Sequence, residues 1–357
     1  MNISRTRRVV LAAGLTILLS ATAACGGADG ADSSGSADGV PAELQSLYQA
    51  AVDEGGTFVV YSNLVSDTLS KVTAAFNKQF PGVKMQGQFY AGAPMEAKVS
   101  AEVDGGNLVA DVVQIGNGTF LSGLVDKGAL YDMTDVPGLD QIPEAYRNGT
   151  HYFAHEVFVS AITYNTNAVK TEPTSYQQVV DMGKKAGIVD PRAGGGSAFI
   201  TYFLTKTYGD AIWSKVKDNG VVLNASVANA VPSVVSGDLD AIINSQGAGA
   251  CAQSQGKPVK VAYPAEGVTP LVFYTGVFAK AKHPAAAKLY AAWVASREGQ
   301  QIIADTDCTF SARADVTPFQ GLPKLTDLKV TAYPLEQYNA EYPTIAKQAA
   351  AAAGLSS

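Results

Sequence analysis

Histidine, cysteine and charge are all scarce in this sequence. Three of its 357 residues are histidine, three are cysteine, and only 16% are charged. His151, His155 and His283 stand in no triad spacing, and Gly194-Gly195-Gly196-Ser197-Ala198 is not a Gly-x-Ser-x-Gly elbow, so a serine hydrolase lacks its machinery. The ligand cluster of a zinc enzyme is missing too. His151 and His155 lie four apart beside Glu156, but they lead into an apolar stretch of strand period, where no helical metal pair is expected. The chain therefore reads as a non-enzyme with no catalytic residues, no cofactor and no metal ligands. Positive charge is also short: 26 Lys and Arg stand against 32 Asp and Glu, which argues against nucleic acid as a partner. Beyond residue 24 no apolar run approaches the roughly 18 residues of a membrane-spanning helix.

What is present begins with the leader. Met1 to Arg8 is cationic, Val9 to Leu19 apolar, and Ser20 to Ala24 small, the order of a secretory signal peptide over residues 1–24. Thr22-Ala23-Ala24-Cys25 resembles a bacterial lipoprotein box with Thr22 in place of the usual leucine, which implies cleavage before Cys25 and a lipid on its thiol. Thr6-Arg7-Arg8 followed by Val9-Val10-Leu11 resembles a twin-arginine signal, so both export routes stay open. Arg5, Arg7 and Arg8 are the only charges before Cys25; the rest carries 23 cations against 32 anions, a net −9. Residues 25–42 read as lipidated cysteine and tether, since Gly26 to Gly39 holds only Gly, Ala, Asp and Ser. In an oxidising compartment Cys251 and Cys308 can pair as a disulfide; two separate buried thiols fit the sequence as well.

The remaining length suits two domains, and 47% hydrophobic residues suffice for two cores. Apolar strands at Thr57–Tyr61, Val83–Phe89 and Ala110–Ile115 alternate with helices whose apolar spacing is helical, as in Leu69, Val72, Phe76 and Phe80. A second series follows a strand at Phe158–Tyr164, with strands at Asp240–Asn244, Val259–Tyr263 and Leu271–Phe278. Such alternation predicts parallel crossovers in an α/β sheet, with ligands beyond the carboxyl ends of the strands. Ser62, Asn63, Asn117 and Thr119 fall at such ends. Asp190-Pro191-Arg192-Ala193-Gly194-Gly195-Gly196-Ser197 adds a glycine-rich turn before a helix, where backbone N–H groups and Arg192 could face an anion, with Ser197 placed as the helix cap.

The order of these pieces resembles the solute-binding receptors of bacterial ABC importers, in the cluster that includes the ferric-iron receptors. The resemblance is carried by Val60-Tyr61-Ser62, Phe80-Pro81-Gly82-Val83, Ala110-Asp111-Val112-Val113, Ala161-Ile162-Thr163-Tyr164-Asn165-Thr166, Asp190-Pro191-Arg192, Val235-Ser236-Gly237-Asp238 and Pro264-Ala265-Glu266-Gly267. It implies a periplasmic-binding-protein type 2 fold: α/β, two lobes, two hinge crossovers and a ligand cleft between. Lobe 1 is expected over 43–163 and lobe 2 over 164–275, with 276–357 returning to lobe 1 and ending in C-terminal helices. The implied partners are a small-molecule or ion ligand, the ABC permease subunits and, through the lipid, the outer face of the cell membrane, for a protein expected to be a monomer.

For the solute, the iron receptors carry adjacent tyrosines just after the segment that here ends at Asn244, whereas this chain has Ser245-Gln246. A hard ferric ion needs several anionic oxygens. The expected binding set is Ser62, Asn63, Asn117, Thr119, Tyr164, Arg192, Gly196, Ser197, Ser245, Gln246 and Tyr274, mostly neutral hydrogen-bonding groups with one cation. Such a set suits a small polar anion such as a phosphonate, phosphate ester or carboxylate. The alternatives are a ferric-iron receptor and a ligand-presenting sensor with the same fold.

Overall fold

The structure, a computed structural model, describes residues 39–90, 92–224 and 230–356. The signal peptide, Cys25 and the tether up to residue 38 lie outside them. The described chain opens with α1 (Gln45–Glu54), then β1 (Thr57–Ser62), α2 (Ser66–Gln79), β2 (Lys84–Phe89), α3 (Ala93–Asp104), β3 (Val112–Ile115) and α4 (Gly118–Asp126). The short β4 (Arg147–Asn148) precedes the long β5 (Tyr152–Asn165). A second series runs α5 (Tyr176–Asp181), β6 (Ala186–Val189), α6 (Gly196–Tyr208), α7 (Ala211–Asn219), β7 (Val222–Asn224), α8 (Val231–Ser236), β8 (Ala241–Ser245), α9 (Gln246–Ser254) and β9 (Val259–Ala262). The chain returns along β10 (Pro270–Val277) to α10 (Pro284–Ala295), α11 (Arg297–Asp307) and α12 (Leu335–Ala352).

The expected parallel pairing is found within each half: β1 lies between β2 and β3, and β6 between β7 and β8. The sheet as a whole is mixed, because β10 runs antiparallel to β3 and β5, and β5 antiparallel to β8 and β9. Its strand order is β2-β1-β3-β10-β5-β8-β6-β7. At roughly 3.3 Å per residue, the 14-residue β5 is long enough to serve both halves. Up to Val159 it pairs with β10; from Ser160 it pairs with β8 and β9. The passage between lobes thus happens inside one strand. The sequence reading began this strand only at Phe158, because His155 and Glu156 interrupt its apolar run, yet both are buried in it.

The first lobe packs around Phe76, whose ring meets Phe58, Tyr290 and Trp293 edge-on with centroids 5.3–5.5 Å apart. These come from β1, α2 and α10, so the helical stripe Leu69, Val72 and Phe76 faces the core. The second lobe packs Tyr176, Phe203 and Trp213 against Ile188 and Ile243. The last helix, α12, lies on α6 and α7. Its first turns also reach α4, where Asn339 exchanges hydrogen bonds of 2.7 and 2.9 Å with Thr119. Cys251 and Cys308 form a disulfide with Cα atoms 5.5 Å apart, joining α9 to the residue that follows α11. No helix among the described residues is long and apolar enough to cross a membrane.

Candidate functional site

Three helices start at the carboxyl ends of β3, β6 and β8, and all three starts abut the two crossover strands. A Cβ at Gly116 or Gly118, before and at the start of α4, would meet Phe273 and Tyr274 of β10. One at Gly196 of α6 would meet Leu271, and one at Gly247 of α9 would meet Phe158 of β5. Phe158 and Phe273 themselves pack edge-on at 5.7 Å. Glycine at these points lets the helix starts of both lobes come against the crossover strands.

The sequence-named residues divide sharply around this junction. Asn63 and Gln246 are anchored at one end only. Asn63 donates through Nδ2 to Glu156 Oε1 at 3.0 Å, and its buried Oδ1 has no partner among the described residues. Gln246 accepts the Val159 N–H through Oε1 at 2.7 Å, and its buried Nε2 has no partner there either. Buried polar groups are normally satisfied, so the two orphans mark unfilled hydrogen-bonding capacity. Ser245 caps α9 without a side-chain capping bond, and Tyr274 stands half-buried against Tyr152 at 5.2 Å.

The others are committed elsewhere. Ser62 is buried and donates to Gln114 Oε1 at 2.7 Å within the sheet. Asn117 caps α4 by accepting the Phe120 N–H, and donates to Glu96. Thr119 is exposed and bonded to Asn339. Tyr164 lies near the far end of β5, its hydroxyl on Glu172 at 3.3 Å. Arg192 is 48% exposed and forked onto Asp190, with contacts of 2.7 and 3.0 Å. That guanidinium holds the Asp190 carboxyl below its usual range. Ser197, expected as the helix cap, is instead buried within the first turn of α6; Gly195 takes the cap because the backbone there has a positive φ of 62° that only glycine adopts easily.

A buried polar chain crosses the first lobe beneath this junction. Ser62 and Tyr290 donate to Gln114 Oε1, Gln114 Nε2 donates to Thr275 Oγ1 at 3.1 Å, and Thr275 meets His155 Nδ1 at 3.1 Å. Thr275 keeps a lone pair and a proton beyond its bond from Gln114, so its hydroxyl serves His155 Nδ1 in either direction, and the other ring nitrogen is Nε2. That nitrogen points at Glu156 Oε1 from 3.6 Å. Burial pushes His155 down to about 3, so it is neutral. Glu156 faces Asp307, and desolvation followed by mutual interaction pushes Asp307 up to about 8; Glu156 is raised to about 7, chiefly by desolvation.

Sequence reasoning named His155 only with His151, as a rejected metal pair beside Glu156, and it passed over Asp307. A signal was present. Asp307 ends α11 with no basic residue in the last turn, and a carboxylate at a helix C-terminus opposes the helix dipole.

Residues 62–301 match a family described as bacterial extracellular solute-binding protein. The fold is similar to iron-bound HitA from Pseudomonas aeruginosa, at 17% identity over 82% of this chain and 99% of that one, with a TM-score of 0.69. It is similar to AfuA from Actinobacillus pleuropneumoniae, solved with fructose-6-phosphate, at 19% identity over 84% and 99% with a TM-score of 0.70. Ferric iron-binding protein A from Mannheimia haemolytica, in an open conformation, gives 15% identity over 84% and 98% with a TM-score of 0.66. At these identities the likeness shows the fold alone. No curated protein matches the chain.

Proposed function

The chain belongs to the bacterial extracellular solute-binding proteins, and from that premise we propose that it captures a small polar solute carrying an anionic group by closing its two lobes on it. As a member it is a receptor of an ABC importer, exported, binding a small ligand and delivering it to a permease; it is not an enzyme. The observation that carries the proposal is the pair of buried, half-satisfied amides, Asn63 from one lobe and Gln246 from the other, set where three helix starts meet the crossover strands. A solute oxygen that accepts from Gln246 Nε2 and the first-turn N–H groups of α6 and α9 gives closure its free energy, because only the closed form offers both lobes. Arg192 reaches such a solute only by leaving Asp190, so the neutral donors come first in this reading.

The division into lobes at 43–163 and 164–275, the lipid on Cys25 and the monomeric state belong to the same proposal. Cys25→Ser releases the protein from the membrane fraction if the lipid is its anchor; retention speaks against it. The solute class is tested by thermal shift against phosphonates, phosphate esters, carboxylates, neutral sugars and ferric salts. Anions are expected to raise Tm and Gln246→Ala to remove that rise. A rise with ferric salts alone, or with sugars alone, replaces the anion reading.

A further inference from the structure

The solute site described above leaves one buried arrangement unexplained. Glu156, on β5, is 1% exposed. Asp307, the last residue of α11, is brought beside it where the chain that follows pairs with β5, Thr309 donating to the Val157 carbonyl at 2.7 Å. Asn63 Nδ2 and the more distant His155 Nε2 both address the same oxygen, Glu156 Oε1, at 3.0 and 3.6 Å. Glu156 Oε2 has no donor among the described residues, and neither does Asn63 Oδ1 beside it. Thr68 of α2 donates to Asp307 Oδ1 at 3.1 Å. No lysine or arginine among the described residues forms an ion pair with either carboxyl.

Two ionised carboxylates are acceptors only, and do not stay side by side away from water without a positive charge between them. In the empty receptor that charge is a proton. The oxygens left open here, Asn63 Oδ1 and Glu156 Oε2, are both acceptors. The place is no closed core either. Asp307 is only partly buried, Asn63 follows the carboxyl end of β1, and the Asp307 carbonyl sits 3.5 Å from where a Cβ on Gly247 of α9 would be. The acid pair therefore adjoins the lobe junction.

We infer that Glu156, Asp307 and Asn63 form a subsite for a protonated amine of the solute, which displaces the proton shared by the two carboxyls. The inference rests on the receptor reading and narrows it to zwitterionic solutes, with an anionic group toward Gln246 and an ammonium toward Glu156. The exchange balances. One ammonium enters, one proton leaves to solvent, and the buried pair with its occupant keeps a net charge of −1 throughout. An ammonium offers three N–H donors, enough for Glu156 Oε2, Asp307 Oδ2 and Asn63 Oδ1. The titratable groups facing the pair are each other and the neutral His155 from β5; β1, α2 and α9 present Asn63, Thr68 and the backbone of Gly247.

The test uses the full chain and methylammonium against tetramethylammonium at matched ionic strength, read by Tm between pH 5 and pH 9. The subsite predicts that methylammonium raises Tm by about 2 °C or more at the alkaline end, less at pH 5 where the proton competes, and that tetramethylammonium, which has no N–H, does nothing. Glu156→Gln should abolish the response, and Asp307→Asn provides the same test if that variant does not fold. Equal effects of the two cations, or a methylammonium effect independent of pH, overturn the subsite. Short amino-phosphonates and amino-carboxylates are then compared with their desamino forms. Desamino forms that bind equally well sink the amine subsite and leave the receptor standing. Failure of every anion, with the methylammonium response intact, sinks the anion reading alone.

Discussion

Two charged places in this molecule behave in opposite ways. Arg192 and Asp190 form an ion pair on the glycine-rich turn, exposed, forked and complete within three residues. Glu156, buried, and Asp307, partly buried, are brought together from strand and helix 151 positions apart, with Glu156 Oε2 left without a donor among the described residues. An exposed pair exchanges water for a partner at little net gain. A buried pair of like charges cannot be neutral in its effects: it needs a proton or a cation, and everything that binds there competes for that need. Capacity for ligand thus sits with the groups the fold leaves unsatisfied, and only weakly with the groups that carry conspicuous charge.

The comparison can be broken first at its anchorage. The disulfide pins α9 to the residue after Asp307 and closes a 57-residue loop, so Cys251→Ser with Cys308→Ser should lower stability by about 4 kcal/mol in urea unfolding. A loss well under 1 kcal/mol would mean that this end of α11 is held without it. Next comes the acid pair itself. The pair holds its shared proton more tightly folded than unfolded, so its contribution to stability is fully present below the ordinary carboxylate range and is lost as pH rises through about 7 to 8. Unfolding free energy should therefore fall between pH 5 and pH 9, by on the order of 3 kcal/mol, and Glu156→Gln with Asp307→Asn should flatten that slope. A slope unchanged in the double variant would detach it from this pair.

A smaller effect is expected where α12 straps the turn. Tyr338 stacks on Phe199 with centroids 4.5 Å apart, and Tyr342 donates to the Ala193 carbonyl at 3.4 Å. Tyr338→Ala should cost about 2 kcal/mol through lost stacking and area, read from the chemical midpoint. The smallest is Arg192→Ala. With Asp190 as its principal partner at the surface, its removal should leave the unfolding midpoint unresolved from the wild type and weaken solute binding less than Gln246→Ala does. A larger loss of affinity for Arg192→Ala than for Gln246→Ala would reverse the comparison and restore the turn as the principal donor.

Much of this fold was legible because each segment carries its own period. The stripe Leu69, Val72 and Phe76 predicts a helix with one buried face, and α2 buries that face against Phe58, Tyr290 and Trp293. The first half of β5 was not legible, since two polar residues break its apolar run and only their partners, Thr275 and Asn63, make burial tolerable. The site divided likewise. Asn63 and Gln246 both follow strand ends and keep an open amide atom, but position could not foresee that Ser62 would be bound to Gln114 inside the sheet. Nor could it place Thr119 against Asn339, since that pairing spans 220 residues.

By itself, then, the sequence determined the alternation of strands and helices, the two-lobed class and the family, because periodicity and short turn motifs are local and survive at low identity. Only the tertiary structure decided which polar groups are spent on one another and which are left open. Hydrogen bonding is settled pairwise between side chains that the fold brings together. Asp307, set against the dipole at the end of its own helix, acquires its full character only when α11 delivers it beside Glu156.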